Sequence, residues 1–224
     1  MEANIFENNR AQENGSLVFV SNLNSSGQIL FINNSFCNNV IQFAKNKNNN
    51  SLGSIIFLEN PSNFIIQSST FFNNSGIVGA CIYYAESIKN YLLIIQKNNF
   101  ISNKASIAAG AIYFAQIDKN LNINNVEKNN FFLNNKAALY SENCSSPAFR
   151  MQINNNKNTK VTKIIPGITS LNFSLSVLDF FDQKILNLNF GSYCIIRLKN
   201  GVKFSDTDAT ISLDGAATVN FING

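Results

Sequence analysis

A short pattern that recurs about every 30 residues constrains the fold of this chain more than any other feature. Its anchor is a Phe followed three residues later by an Asn, as in "FISN" at residues 100–103. Aligning the chain on that Phe gives five copies, whose Asn residues are Asn9, Asn39, Asn74, Asn103 and Asn134. A unit repeated at a nearly fixed spacing indicates a solenoid, in which each unit stacks on the next.

A small-residue turn and an apolar run follow most copies: "GSLVFV" (15–20), "GSIIFL" (53–58), "GACIYY" (79–84) and "GAIYFA" (110–115). Apolar residues two positions apart in such a run lie on one face of a β-strand. We therefore expect their counterparts in successive units to stack on one another in a core. The members of this expected core stack are Leu17, Ile55, Cys81 and Ile112, then Phe19, Phe57, Tyr83 and Phe114.

Units of this length, each with two or three short strands, predict an all-β parallel β-helix of about four to five coils. The glycine before each apolar run is expected to supply a turn with positive φ, which a Cβ would resist. The recurring Asn is expected to hydrogen-bond its own backbone and its copies above and below, as a ladder. Helical repeats fit poorly, because no stretch has the apolar spacing of a helix.

The stretch "FISNKASIAAGAIYF" (100–114) is similar to the F-x-x-N and G-G-A-I repeats of polymorphic outer-membrane proteins and of related pectin-lyase-like right-handed β-helices. The likeness extends over residues 4–143, with one glycine where that family has two. It implies a right-handed β-helix in a surface-exposed or secreted solenoid, often adhesive and usually one piece of a longer chain.

The repeat stops near residue 145, and residues 146–224 carry strand-like runs separated by turns. These runs are 171–180, 183–190, 193–200 and 209–221. Alternation over such short runs predicts a small antiparallel β-sandwich. Two of the stretches, "LSVLDFFDQKI" and "ISLDGAATVNF", resemble bacterial Ig-like modules of adhesins. We therefore predict two domains: a β-helix over 1–145 and an Ig-like sandwich, incomplete in this chain, over 146–224.

The sequence contains few of the residues that catalysis or metal binding requires. The chain has no His, which excludes Ser-His-Asp and Cys-His catalysis and every His-ligated metal. Up to residue 143 the one Asp is Asp118, and the Glu residues do not recur at the repeat spacing, so no stacked carboxylate pair is expected. Asp206, Asp208 and Asp214 lack the spacing of a calcium loop and are interpreted as turn residues. We predict no catalytic, cofactor or metal site.

The charge distribution restricts the class of partner, and the cysteine count leaves open whether disulfides form. The net charge is +4, but the Lys residues are scattered and there is no basic patch, so a nucleic-acid partner is not expected. Four cysteines, Cys37, Cys81, Cys144 and Cys194, allow either two disulfides or four free thiols. Cys81 is interpreted as a small buried hydrophobic residue rather than a redox group.

The hypothesis from sequence is a non-enzymatic structural or adhesive segment of a larger cell-surface or secreted protein, with surface proteins or glycans as partners. The alternative is a β-helix that binds or cleaves glycans. No run is long enough to span a bilayer, and the first ten residues lack a signal-peptide core. The first copy starts at Phe6 with no strand expected before it, so we expect a fragment of a longer chain, whose missing parts could hold a signal peptide and a membrane anchor. The alternative is that residues 1–6 fold over the first coil as a cap.

Overall fold

The computed structural model describes residues 1–12, 17–21, 28–42, 52–61, 63–85, 92–116, 125–154, 174–185, 193–195 and 218–220. The regular structure of these residues is almost entirely β-strand, with one short helix. The predicted all-β class is therefore confirmed.

Four parallel sheets, which we call A to D, are built from the repeats. Sheet A contains β4 (Gln28–Ile32), β8 (Asn63–Gln67) and β12 (Leu93–Gln96). Sheet B contains β1 (Ile5–Glu7), β5 (Ser35–Cys37), β9 (Thr70–Phe72), β13 (Asn99–Ile101) and β16 (Phe131–Leu133). Sheet C contains β2 (Arg10–Gln12), β6 (Val40–Gln42), β10 (Ser75–Val78), β14 (Lys104–Ala108) and β17 (Lys136–Ala137). Sheet D contains β3 (Val18–Ser21), β7 (Ile56–Glu59), β11 (Ile82–Ala85), β15 (Ile112–Phe114) and β18 (Cys144–Ser145).

The chain visits these sheets in the order A, B, C, D and then returns to A one strand further along. We call one such passage a coil. Neighbouring strands in every sheet come from consecutive coils and pair in parallel. This arrangement of stacked parallel sheets is compatible with a parallel β-helix.

The two ends of the stack depart from this plan in sheet A. In the last coil a single helical turn, α1 (Val126–Asn129), packs against β12 in place of a strand. In the first coil Glu2 forms a parallel bridge with Ile32, so residues 1–3 occupy the sheet A position. The expectation that no strand-like segment precedes Phe6 is therefore wrong, since three residues are enough to make this pairing.

The centre of the stack is a column of phenylalanine rings, one from the middle residue of each strand of sheet B. The members are Phe6, Phe36, Phe71, Phe100 and Phe132, with successive ring centroids 4.7, 4.7, 4.9 and 5.0 Å apart. The rings are nearly parallel because register-paired strands repeat the same side-chain direction at about 4.8 Å. Fully burying a ring, as at Phe36, Phe71 and Phe100, contributes roughly 1.5–3 kcal/mol, and the column explains why the Phe recurs.

Corners between the sheets are made mainly by non-glycine residues with left-handed backbone. From B to C the corner residues are Asn8, Asn38, Asn73, Ser102 and Asn134, all with φ between 51° and 57°. Asn adopts this conformation more readily than most residues. The expectation that glycine supplies the positive-φ turn holds within the described residues only at Gly79, with φ 61°.

The predicted core stack in sheet D is out of register by one residue in the fourth coil. Ile112 pairs with Ile82, not with Cys81, and Phe114 pairs with Tyr84, not with Tyr83. The first three members of each predicted row do correspond: Phe19, Phe57 and Tyr83 pair with one another, and Leu17, Ile55 and Cys81 each directly precede a sheet D strand. In the fourth coil, however, the aromatic row continues through Tyr113, which lies on the opposite face of the sheet from Phe114. The prediction that Phe19, Phe57 and Tyr83 share one face with Phe114 is therefore wrong. All of the predicted members except Leu17 and Phe19 are buried.

The shift arises because the glycines are not equivalent between coils. The positive-φ corner is Gly79 in the third coil but Ala109 in the fourth, and Gly110 comes one residue later. A Cβ on Gly110 would lie 2.6 Å from the backbone nitrogen of Lys136 and would also meet the carbonyl of Glu142, so glycine there permits close approach of the next coil. One extra residue in β14, accommodated as an irregularity between β10 and β14, precedes this corner.

Beyond the stack, the described residues form two antiparallel pairs: β19 (Arg150–Asn154) with β20 (Ser174–Leu178), and β21 (Tyr193–Ile195) with β22 (Thr218–Asn220). Both pairs are antiparallel, unlike the strand pairs of the stack. Most of the predicted sandwich strands, and Asp206, Asp208 and Asp214, lie outside the described residues. The sandwich and the domain limits 1–145 and 146–224 remain predictions.

Candidate functional surfaces

An uninterrupted ladder of asparagine amides runs through the stack at the corners between sheets B and C. Its members are Asn9, Asn39, Asn74, Asn103 and Asn135. Each side-chain Oδ1 from Asn39 onward accepts two hydrogen bonds from the preceding member, one from its backbone N–H and one from its Nδ2, at 2.9–3.0 Å. From Asn39 onward, each Nδ2 also donates to the carbonyl of the Phe one coil back.

The fifth ladder residue predicted from the sequence, Asn134, is wrong by one position. The structure pairs Phe100 with Phe132 rather than with Phe131, and the ladder accordingly continues through Asn135. Asn134 forms the left-handed corner with φ 55°. Either Phe of the pair 131–132 could be aligned with the other repeats; the sequence alignment used Phe131, whereas the structure uses Phe132.

A second ladder, which the sequence reasoning missed, lies at the corners between sheets A and B. Its members are Asn4, Asn34, Ser69, Asn98 and Asn130. Each stands two residues before a stacked Phe, so the full repeat is N-x-F-x-x-N with one substitution by Ser. The signal was present in the same alignment, but 41 Asn residues among 224 concealed it.

The ladders provide the hydrogen-bond partners that the buried amides of the stack require. Asn39, Asn74 and Asn103 are fully buried, and burying an unpaired amide would cost about 1–3 kcal/mol. Here both donors and acceptor of each of these amides are used by neighbouring coils. These recurring residues therefore hold the coils together and are not exposed for chemistry.

The outer face of sheet B carries apolar side chains in register, which we call the B-face row: Cys37, Phe72, Ile101 and Leu133. Phe72 and Leu133 are 43% and 44% exposed, and Phe131 on the same strand as Leu133 is 52% exposed. Cys37 and Ile101 are half-buried, and exposed large apolar side chains that lie close together are a feature of interaction surfaces. Among the described surfaces this row is the strongest candidate for partner contact.

The outer face of sheet D carries stacked aromatic rings, the D-face row: Phe19, Phe57, Tyr83 and Tyr113. Their centroids are 5.4, 4.4 and 5.7 Å apart, so the ring faces are turned toward one another. Phe19 is 56% exposed, whereas Phe57 and Tyr83 are buried. Burial, with the nearby Tyr113 and Glu59, raises the pKa of Tyr83 to about 12.

The buried carboxylate of Asp179 links two segments of the chain through hydrogen bonds. Asp179 accepts hydrogen bonds from the backbone N–H of Ser146, Phe181 and Gln183, and it thereby joins the end of β18 to the turn after β20. Burial raises the pKa of Asp179, and these hydrogen bonds oppose the rise. Burial likewise raises the pKa of the Cys144 thiol.

The described cysteines are unpaired. Cys37, Cys81 and Cys144 carry free thiols, and the side chain of Cys194 lies outside the described residues. Burial raises the pKa of Cys81 well above its usual value. In the described part of the chain, no three Cys, Asp or Glu side chains come together in a group that could hold a metal ion.

Comparisons of the chain with models of protein families, with curated proteins and with solved structures find no match. Within the described segments, no helix combines the length and apolar character needed to cross a bilayer.

Proposed function

We propose that this chain is a non-enzymatic structural and adhesive segment of a larger cell-surface or secreted protein. In this proposal residues 1–145 form a right-handed parallel β-helix of the polymorphic outer-membrane or pectin-lyase-like kind, and residues 146–224 form an Ig-like module. The parallel pairing in all four sheets supports the proposed β-helix. The resemblance of the repeat to those of surface proteins supports the proposed location at the cell surface or outside the cell. The scaffold spaces its outer side chains at about 4.8 Å along a rigid axis.

The observation that carries the adhesive part is the B-face row. Phe72, Ile101 and Leu133 follow one another in register on consecutive strands, and Phe72 and Leu133 are exposed. Covering such side chains stabilises a complex by roughly 25 cal/mol per Å² of apolar surface removed from water. Exposed apolar side chains spread over consecutive strands fit a protein surface better than a small molecule, which proteins usually bind in a concave pocket.

The test is a binding screen of the full chain against a panel of purified extracellular proteins and a glycan array. Replacing Phe72 and Leu133 together by Ser should lower binding to any protein captured by the native chain at least tenfold. The matched control is Asn99→Ser, an exposed position on the same face, which should bind like the native chain. Unchanged binding by the double variant, with an unchanged circular dichroism spectrum, would contradict the role of this face.

Glycan recognition is the second candidate, and the D-face row is the observation that favours it. Sugars stack on open aromatic faces, but the faces of Phe57 and Tyr83 are occupied by each other at 4.4 Å. Only Phe19 in this row is largely exposed. Glycan binding that is lost in Phe19→Ala would establish this function in place of the adhesive one, and a lyase assay on the same glycans would separate binding from cleavage.

A further inference from the structure

Two exposed corner residues of the stack begin an Asn-x-Ser triplet. Asn33 lies at the corner between β4 and β5, and Asn73 lies at the corner between β9 and β10, with φ of 54° and 51°. Both side chains are exposed to solvent. Each Asn is followed two residues later by a serine, Ser35 or Ser75. Asn-x-Ser, where x is not proline, is the triplet that N-linked glycosylation requires.

The repeat gives each position of the triplet a fixed place in the coil. The first Asn forms the left-handed corner, the second Asn (Asn34 or Asn74) is buried in a ladder, and the serine begins a strand and is half-buried. The corner conformation by itself explains the first Asn. It does not explain the serine, because the position of Ser75 is occupied by Arg10 and by Lys136 in other coils. The fold therefore does not require a hydroxyl group there.

A third triplet, Asn143-Cys144-Ser145, lies in a different environment. Asn143 is half-buried, and its Oδ1 accepts a hydrogen bond from Nδ2 of Asn135 at 3.2 Å. Cys144 and Ser145 are fully buried. Because a glycan is bulky and needs solvent, the folded chain accommodates one at the two exposed corners but not here. The remaining triplets without a central proline begin outside the described residues, at Asn14, Asn24, Asn49 and Asn172.

We propose that Asn33 and Asn73 are N-linked glycosylation sites, and this proposal rests on the proposed location at the cell surface or outside the cell. In the transfer, Nδ2 forms a bond to the anomeric carbon of an oligosaccharide carried on a lipid diphosphate. The bond from that carbon to the diphosphate oxygen breaks, the lipid diphosphate leaves with the electron pair, and Nδ2 gives up one proton to a base of the transferring enzyme. The second Nδ2 hydrogen of Asn73 remains, which is enough for its bond to Oδ1 of Asn38 at 2.8 Å.

The first experiment maps the glycopeptides of the native protein, recovered separately from the cytosol, the cell surface and the medium of the cells that make it. Mass spectrometry before and after treatment with peptide N-glycosidase identifies each modified Asn. We expect glycans on Asn33 and Asn73 and none on Asn143. Extracellular protein that lacks a glycan at either Asn33 or Asn73 would overturn this proposal alone. Protein found only in the cytosol would overturn the proposed location as well.

Variants of the full chain, secreted from cultured eukaryotic cells behind a cleavable leader, test the assignment at one corner. Ser75→Ala should remove one glycan while keeping the Asn73 side chain, and Ser75→Thr should retain it. Asn134 is the matched control, because it is an exposed corner residue of the same kind, with φ 55°, but Lys136 occupies the position of the serine. Lys136→Thr should therefore add one glycan, at Asn134. If Ser75→Ala leaves the number of glycans unchanged, or the secreted Lys136→Thr chain gains none, the corner is not an acceptor site and the proposal fails.

Discussion

Removing one amide from the middle of the ladder should destabilise the protein far more than removing the same amide from its end. In Asn74→Ala the lost Oδ1 leaves the backbone N–H of Asn39 and one Nδ2 hydrogen of Asn39 without acceptors, although Asn39 keeps its bond to Phe6. The lost Nδ2 also leaves the buried carbonyl of Phe36 without this donor. Three buried groups each lose a partner at a cost of about 1–3 kcal/mol, so the free energy of unfolding should fall by at least about 3 kcal/mol.

The matched control is Asn9→Ala, the same substitution in the same ladder at an exposed site. Oδ1 of Asn39 would keep the backbone N–H of Asn9, and water can replace the rest, so we expect a loss of about 1 kcal/mol or less. Urea unfolding of both full-length variants, followed by far-ultraviolet circular dichroism, measures the difference. If the two free energies differ by less than about 1 kcal/mol, the ladder does not stabilise the stack as argued.

Three further outcomes are expected. Asn135→Gly should lower the unfolding midpoint sharply, because it removes buried hydrogen bonds. Asn134→Gly should leave the midpoint unchanged or raise it, because glycine adopts the positive φ at this position without strain. Reversed effects of the two substitutions would restore the register predicted from sequence. At pH 8, iodoacetamide followed by peptide mass mapping should label Cys37 in the native protein but Cys81 only in denaturant, since burial raises the pKa of the latter thiol. The folded-state pKa of Tyr83 lies above its ordinary value of 10, so its contribution to stability is complete below pH 10 and is lost as pH rises toward about 12. Alkaline unfolding curves of Tyr83→Phe should lack that component, and superimposable curves for the two proteins would contradict it.

The repeat made the architecture predictable from sequence, because an anchor that recurs at a nearly fixed spacing leaves stacking as the only way to bury it. Ladder positions Asn39, Asn74 and Asn103 followed directly from the same alignment. The register of the fourth coil in sheet D could not be predicted from this alignment, because glycine forms a positive-φ corner at Gly79 but permits close packing at Gly110. Sequence alone does not separate these two uses of glycine.

The B-face row could not be found from periodicity. Strands such as β9 and β13 have three residues, so each has one inward side chain between two outward ones. Three residues are too few to distinguish alternation from a continuous apolar run. From the sequence, Phe72 beside Phe71 is therefore interpreted as a second core residue, and only the structure shows that it faces solvent.

Stacked coils also determine how the protein responds to force. The hydrogen bonds that join one coil to the next run along the axis of the stack, so a pull along that axis stretches them directly. A released coil of about 30 residues lengthens the chain by roughly 100 Å. A tether built in this way yields in steps, each absorbing work, while the coils beneath keep their folded length.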